Sequence, residues 1–175
     1  MAEEIMEAAG LEEEAADESQ KGQFMTFQTG KEFFGIGISY INEIIMMQPI
    51  TLVPEVEDYI KGLINLRGKI IPVIDVRVRF KMPPAEYTDR TCIIIINVKS
   101  MVIGLIVEQI AEVVNISDDD IVPLPSLKRK EKEHNKYVYG LARLEDSVKM
   151  LLDPEKLIKQ EDLVKIEENQ EEEQE

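Results

Sequence analysis

Residues Gly62 to Phe80 read GLINLRGKIIPVIDVRVRF, two apolar runs on either side of Arg67-Gly68. Apolar, β-branched runs broken by a turn dipeptide predict a β-hairpin. After Gly68 the alternation separates two faces. Ile70, Pro72, Ile74, Val76, Val78 and Phe80 share one; Lys69, Ile71, Val73, Asp75, Arg77 and Arg79 share the other. The second face begins apolar and ends charged, so the strand is expected to enter a core on both sides and leave it on one. Pro72 has no N–H for a ladder and is expected at an edge or bulge. No nucleophile, histidine or cysteine lies in the stretch, and Asn65 and Arg67 sit where a core strand turns into solvent. A hairpin that presents an arginine points to binding rather than catalysis.

Short strands recur along the rest of the chain. Phe24–Phe27 and Glu32–Ile38, punctuated by Thr29-Gly30-Lys31, predict a first hairpin. Ser39 is placed to cap a short helix carrying Ile41, Ile44 and Ile45, with Glu43 on a different side. Pro49 and Pro54 bracket an extended segment, and Glu55–Lys61 predicts a helical turn ending at Gly62. Beyond the Pro83-Pro84 linker, TCIIIINV at Thr91–Val98 predicts a buried strand. Met101–Glu108 and a segment through Val113 and Val114 follow as strands, then a Ser117-capped turn over Asp118–Asp120. Tyr137–Leu144 and Ser147–Leu152 predict a late hairpin. Asp153 or Pro154 starts a final helix with Leu157, Ile158, Leu163 and Ile166 on its apolar side. Roughly ten short strands and few helices favour small barrels over a parallel α/β sheet. A repeat between the two halves is no more than a loose pattern.

The net charge of −15 is concentrated at the ends. Residues 1–20 hold eight acids and no base; residues 159–175 hold eight acids against Lys159 and Lys165, leaving about −1 for residues 21–158. The first twenty residues read as an acidic flexible tail and the last seventeen as an acidic helix or tail, solvated or serving interaction. The one basic cluster, KRKEKEHNK at 128–136, is interrupted by acids, which disfavours nucleic acid as a partner. The single cysteine, Cys92, excludes an internal disulfide framework and fits a reducing cytoplasm. No apolar run reaches the length of a membrane span and no signal peptide is visible, so direct membrane insertion is not expected.

Catalytic chemistry finds little support. His134, the only histidine, lies in a charged loop, and Cys92 opens an isoleucine strand as a buried structural thiol. Asp118–Asp120 does not match the spacing of a calcium loop, and a helix N-terminus explains it without metal. Gly35-Ile36-Gly37 is a lone GxG in a strand, and no phosphate-binding loop is present. Neither a cofactor nor a metal is expected. Asp75 is read as a strand-face residue paired with Arg77 or Lys69; an enzyme working through Asp75 or Asp118–Asp120 is the competing reading. The pair Met46-Met47 fits either a core or an adaptable binding surface. Arg67 fits either a solvated turn residue or a fork for a carboxylate.

Four ordered blocks carry a family resemblance. YIKGLINLRGKIIPVIDVRVRF, Tyr59–Phe80, resembles the signature of CheW, the coupling proteins of bacterial chemotaxis. FMTFQTGKEFFGIGISYINEI at Phe24–Ile44, TCIIIINVKSMVIGLIVEQIAEVV at Thr91–Val114 and YGLARLEDSVKMLLDPEKL at Tyr139–Leu157 resemble the family's opening, middle and close. The resemblance implies a mainly β fold. It consists of two small five-stranded SH3-like barrels packed around a shared hydrophobic core within residues 21–158, with a divide near 83–90, short helices and a C-terminal helix. It implies a non-enzymatic cytoplasmic adaptor, joining the cytoplasmic tip of membrane chemoreceptors to the regulatory domain of the histidine kinase CheA in arrays. A CheW-like module serving another receptor–kinase system is the alternative, and a regulatory domain attached to a receiver or kinase is disfavoured by the chain's length.

Site residues follow from the same resemblance. Arg67 in Asn65-Leu66-Arg67-Gly68 matches the family's receptor-binding arginine, and Glu43 matches the acid near it. Ile41, Ile93 and Val113 match positions lining an apolar groove for a helical receptor tip. Met47, Ile50 and Leu52 are the candidates for the kinase side, with Leu127 in a segment 121–127 that would make a second kinase contact. Three features depart from the family pattern: Ile45 where many relatives carry Arg, Glu108 where Asp is usual, and the acidic tails.

Overall fold

Both faces of the strand Cys92–Val98 are buried, which is why its isoleucines run without a polar break. Ile93 and Ile95 pack with Ile64, Leu66, Ile71, Val73 and Ile106. Ile94, Ile96 and Val98 belong to a larger apolar cluster that also holds Phe27, Phe34 and Leu152. A strand between two cores has no solvent face to alternate with. The computed structural model describes residues 22–124, 136–145 and 147–174; the expectations about the N-terminal tail, His134 and Leu127 fall outside them.

Eleven strands are present among the described residues: β1 Gln23–Thr29, β2 Glu32–Gly37, β3 Ile41–Met46, β4 Ile60–Leu66, β5 Lys69–Asp75, β6 Cys92–Val98, β7 Met101–Val107, β8 Gln109–Asn115, β9 Ile121–Pro123, β10 Val138–Leu144 and β11 Ser147–Leu152. One helical turn, α1 Val76–Arg79, and one longer helix, α2 Gln160–Gln174, complete the α-helical elements. A six-stranded sheet runs β8-β1-β2-β11-β10-β9, and a five-stranded sheet runs β3-β6-β7-β5-β4. Neighbours are antiparallel except β11 with β2 and β5 with β7.

Three apolar clusters organise the sheets. One lies on the Ile93 and Ile95 side of the five-stranded sheet. A second, with Phe24, Ile116, Ala142 and Leu151, belongs to the six-stranded sheet. The largest takes residues from both sheets and from Leu157, Ile158 and Ile166. The expected mainly β architecture is present, and the two packed sheets fit two SH3-like subdomains around a shared core. The chain does not change sheets near 83–90. β3 to β7, on both sides of that linker, form the five-stranded sheet, while β1 and β2 join the six-stranded one with β8 to β11.

Several local expectations are corrected by tertiary pairing. Ile38–Tyr40 is a single 3-10 turn with no side-chain cap, and Ile41, Ile44 and Ile45 lie in β3 rather than a helix. Pairing with the isoleucines of β6 recruits these β-branched residues to the sheet. Glu43 and Ile45 therefore share a face of β3. Turns at 54–55 and 58–59 stand in place of the expected helical turn, and Gly62 lies inside β4. β5 stops at Asp75, whose carboxylate accepts the N–H groups of Arg77 and Val78 and caps α1. The alternation that continues to Phe80 is thus helical. Pro72 opposes Leu63, whose own N–H and C=O both bond Thr51, so this pair needs no donor from Pro72. The C-terminal helix comes in two pieces: a 3-10 turn Pro154–Lys156 capped by Asp153, then α2.

Candidate functional site

The β4–β5 register pairs Leu66 with Lys69, leaving Arg67 and Gly68 as a two-residue turn. Both have positive φ, 53° and 85°. Two consecutive left-handed residues make the turn that matches the twist of a hairpin. Gly68 adopts this without a Cβ penalty, whereas Arg67 bears one. Asn65 holds the turn, its Oδ1 accepting the Gly68 N–H at 2.9 Å.

This turn aims Arg67 at Glu43. Nη1 donates to Oε1 at 2.7 Å and Nη2 to Oε2 at 3.0 Å, a two-pronged ion pair. The hydrogen bonds from Arg67 hold the Glu43 carboxyl below the usual carboxylate range, and Glu43 in turn raises Arg67. The Arg67 side chain is 73% exposed and that of Glu43 31%. Glu43 lies on β3 and Arg67 directly follows β4, the first and last strands in the order of the five-stranded sheet, so the pair links the two ends of that order.

The apolar candidates are not all placed with it. Ile93 is fully enclosed beneath β3, opposite Ile45, and offers no surface. Ile41 is half-buried on β3 and packs against the large shared cluster. Val113 is half-exposed on β8 and belongs to the other sheet, opposite Met25. Ile93 fails as a groove residue because the resemblance identifies positions, while the isoleucine run conceals which face each one takes. Ile70, beside the turn opposite Asn65 and half-exposed, is an apolar neighbour of Arg67 that the sequence reading missed. Its place at the exposed start of β5, before the strand enters the core, was the available signal.

Of the residues expected to contact a kinase, Leu52 is 81% exposed, while Met47 and Ile50 are half-buried against the core of the five-stranded sheet. The neighbouring methionine carries the exposure: Met46 is 80% exposed. The alternation of β3, with Ile45 turned inward and Met46 outward, assigns it there, and Met47 just beyond the strand packs inward again. Thr51 joins this segment to β4 through two hydrogen bonds with Leu63, each 2.8 Å. Gly62 permits the approach. Its φ is 145°, and a Cβ there would lie 2.1 Å from the Thr51 carbonyl oxygen.

The carboxylates proposed for chemistry are engaged structurally. Asp75 Oδ1 accepts the backbone N–H groups of α1, and Oδ2 accepts the Tyr87 hydroxyl at 2.8 Å, so among the described residues it forms an ion pair with neither Arg77 nor Lys69. Burial, then the bond to Asp75, pushes the Tyr87 hydroxyl up. Arg77 instead pairs with Glu108, whose other oxygen accepts the Gly30 N–H at 3.1 Å, tying α1 to the β1–β2 turn. Asp118–Asp120 form a 3-10 turn capped by Ser117. Burial raises the Cys92 thiol above its ordinary value, which disfavours the reactive thiolate. Among the described residues no group of three or more His, Cys, Asp or Glu could hold a metal ion, and no helix is long and apolar enough to cross a membrane.

The family model for the CheW-like domain matches residues 23–162. The chain belongs to the CheW family. Chemotaxis protein CheW of Klebsiella aerogenes is 32% identical over 148 residues, covering 85% of this chain and 88% of that protein. Chemotaxis protein CheW of Bacillus subtilis is 39% identical over 104 residues, covering 59% and 66%. The crystal structure of the scaffolding protein TtCheW from Thermoanaerobacter tengcongensis superposes with a TM-score of 0.72 at 32% identity, over 78% of this chain and 91% of that one. The chain is thus a chemotaxis adaptor of the CheW class, and two departures from the family pattern have structural roles in it. Ile45 is inward-facing apolar packing, and the longer Glu108 reaches both Arg77 and Gly30.

Proposed function

We propose that this CheW-like protein is a non-enzymatic adaptor that couples transmembrane chemoreceptors to the regulatory domain of CheA on the cytoplasmic side of the membrane. The observation that carries the reading is the Arg67–Glu43 pair. It lies at the tip of the family's signature hairpin, it is exposed, and it presents charge beside half-exposed Ile70. The receptor face is assigned to Arg67, Glu43, Asn65, Gly68 and Ile41, with Val113 contributing from the other sheet. The kinase face is assigned to Leu52 and Ile50, with Met47 beneath and Met46 added from its exposure. An apolar surface flanked by a fixed ion pair suits an amphipathic helix as receptor ligand. Separate faces allow one molecule to hold both partners, and repetition in an array strengthens contacts that are weak singly.

Co-sedimentation of receptor cytoplasmic fragment, kinase regulatory domain and this protein tests the reading. Wild type brings down both partners together. Arg67→Glu loses the receptor and keeps the kinase domain. Unchanged receptor binding in Arg67→Glu sinks the receptor assignment, and failure of wild type to hold either partner sinks the adaptor reading.

A further inference from the structure

Away from both faces, a cleft of about 800 Å³ lies among α1, the start of β10 and the turn leading into α2. Arg79 is fixed inside it. Its guanidinium carbon stands 4.0 Å from the centre of the Tyr59 ring and 4.8 Å from that of Tyr137, and its Nε donates to the Leu157 carbonyl at 2.7 Å. A guanidinium held between two rings keeps its orientation at little entropic cost. Tyr59 is itself anchored, its hydroxyl donating to the buried Asp162 carboxylate. Exposed Lys156 and Lys159 stand on the rim. Among the described residues no carboxylate forms an ion pair with Arg79, Lys156 or Lys159. Lys81 and Lys136 add to the positive side, and Glu57, Asp58 and Glu155 oppose it, so bases outnumber acids in this lining.

We propose that this cleft is the docking site of the chain's own acidic N-terminal segment, Glu3 to Glu18. The charges are complementary, since the segment holds eight acids and no base. The segment also starts nearby. Gly22, where the described chain begins, lines a smaller neighbouring cleft together with Glu155, and Glu155 lines the basic cleft as well. Twenty residues reach about 60 Å when extended, far more than the passage between adjoining clefts requires. Closing such a loop has an entropic penalty that rises slowly with length, and tethering supplies a high local concentration of carboxylates. The contact is electrostatic and yields to salt. It is independent of the receptor and kinase assignments.

Paramagnetic relaxation in the full-length protein tests it. A spin label is attached to Ala9→Cys in a Cys92→Ala background, with the reduced, diamagnetic form reporting that the fold is retained. Selective loss of the amide signals of Tyr137, Lys156 and Lys159 is expected. That loss should disappear in Lys156→Glu/Lys159→Glu, and in about 1 M salt, where the Debye length falls to about 3 Å. Even broadening over the folded surface, or broadening centred elsewhere, overturns the proposal. So does the same signal loss in a mixture of spin-labelled unenriched chain with nitrogen-15 chain lacking the label, which assigns the contact to a second copy.

Discussion

Arg67 grips both carboxylate oxygens of Glu43, at 2.7 and 3.0 Å, and so ties the turn after β4 to β3 at the opposite end of the same sheet. Exposed ion pairs contribute little to stability, because solvent screens them and two long side chains must be ordered. The pair is therefore better placed to present charge than to hold the fold. Arg67→Glu should leave the urea midpoint close to wild type and lower affinity for a receptor fragment tenfold or more, about 1.4 kcal/mol. The exchange Glu43→Arg/Arg67→Glu rebuilds the pair with reversed polarity. Receptor binding should stay lost in it, measured by titration calorimetry. Recovery to wild-type affinity would reduce the pair to a clamp.

The same pair sets a pH dependence of known sign. Glu43 releases its proton more readily in the folded protein than in the unfolded chain, where a glutamate titrates near about 4.3. Its stabilising contribution is complete above that unfolded value and is lost as pH falls through the lowered folded value. Carbon-13 titration of the Glu43 carboxyl should give a midpoint below the ordinary range in wild type and a higher one in Arg67→Ala. Identical midpoints in the two proteins would show that Arg67 does not engage Glu43 in solution.

Gly104 marks where the core of the five-stranded sheet is tightest. A Cβ there would lie 2.7 Å from Ile93 Cγ2 and 2.8 Å from Val73 Cγ1. Both neighbours are fully buried β-branched side chains with little rotamer freedom. Gly104→Ala should lower unfolding stability by about 1–3 kcal/mol, the range for overpacking a filled core. Urea denaturation reads this as a lower midpoint at unchanged slope. An unaltered midpoint would mean that β6 and β7 separate more easily than their packing implies.

What the sequence disclosed and what it hid follow one physical division. Strand alternation and turn dipeptides are local, so the hairpins β1–β2, β4–β5, β6–β7 and β10–β11 were all legible. Asp75 looked like one more residue on an alternating strand because capping by its carboxylate mimics the end of the alternation. β3 looked helical because Ile41, Ile44 and Ile45 fit a helical face as well as a strand, and only β6 decides between them. Within the candidate site the charged pair was legible only through the family resemblance, since the residues alone left Arg67 either a solvated turn arginine or a carboxylate fork. The apolar partners were not. Ile93 and Ile94 are indistinguishable in sequence, and pairing sends one into each of two clusters.

Gly62 controls the segment that carries Ile50 and Leu52. Alanine at this position needs a φ of 145° and would put a methyl group 2.1 Å from the Thr51 oxygen, a backbone atom that cannot swing aside. The two Thr51–Leu63 hydrogen bonds should therefore open in Gly62→Ala. Faster amide exchange at Thr51 and Leu63 is expected, with exchange at Ile94 and Ile96 changed much less. Affinity for the kinase regulatory domain should fall more than affinity for the receptor. Equal losses for both partners would show that Gly62 acts through the whole sheet rather than through this segment.

Leu52 and Met46 offer apolar side chains that are largely exposed among the described residues. An exposed leucine contributes little to stability, whereas one buried at the centre of an interface contributes substantially. Leu52→Asp should therefore fold with wild-type stability and bind the kinase regulatory domain tenfold or more weakly, about 1.4 kcal/mol, while receptor binding persists. Met46→Asp places a charge on the outward face of β3, on a side chain as exposed as Leu52, and should act in the same direction. Met47→Asp forces a charge toward the core of the five-stranded sheet and should lower stability along with binding. Measuring thermal midpoints and kinase affinity for the three variants separates contact from packing. If Met46→Asp and Leu52→Asp both bind the kinase domain as wild type does, the kinase contact lies on another surface.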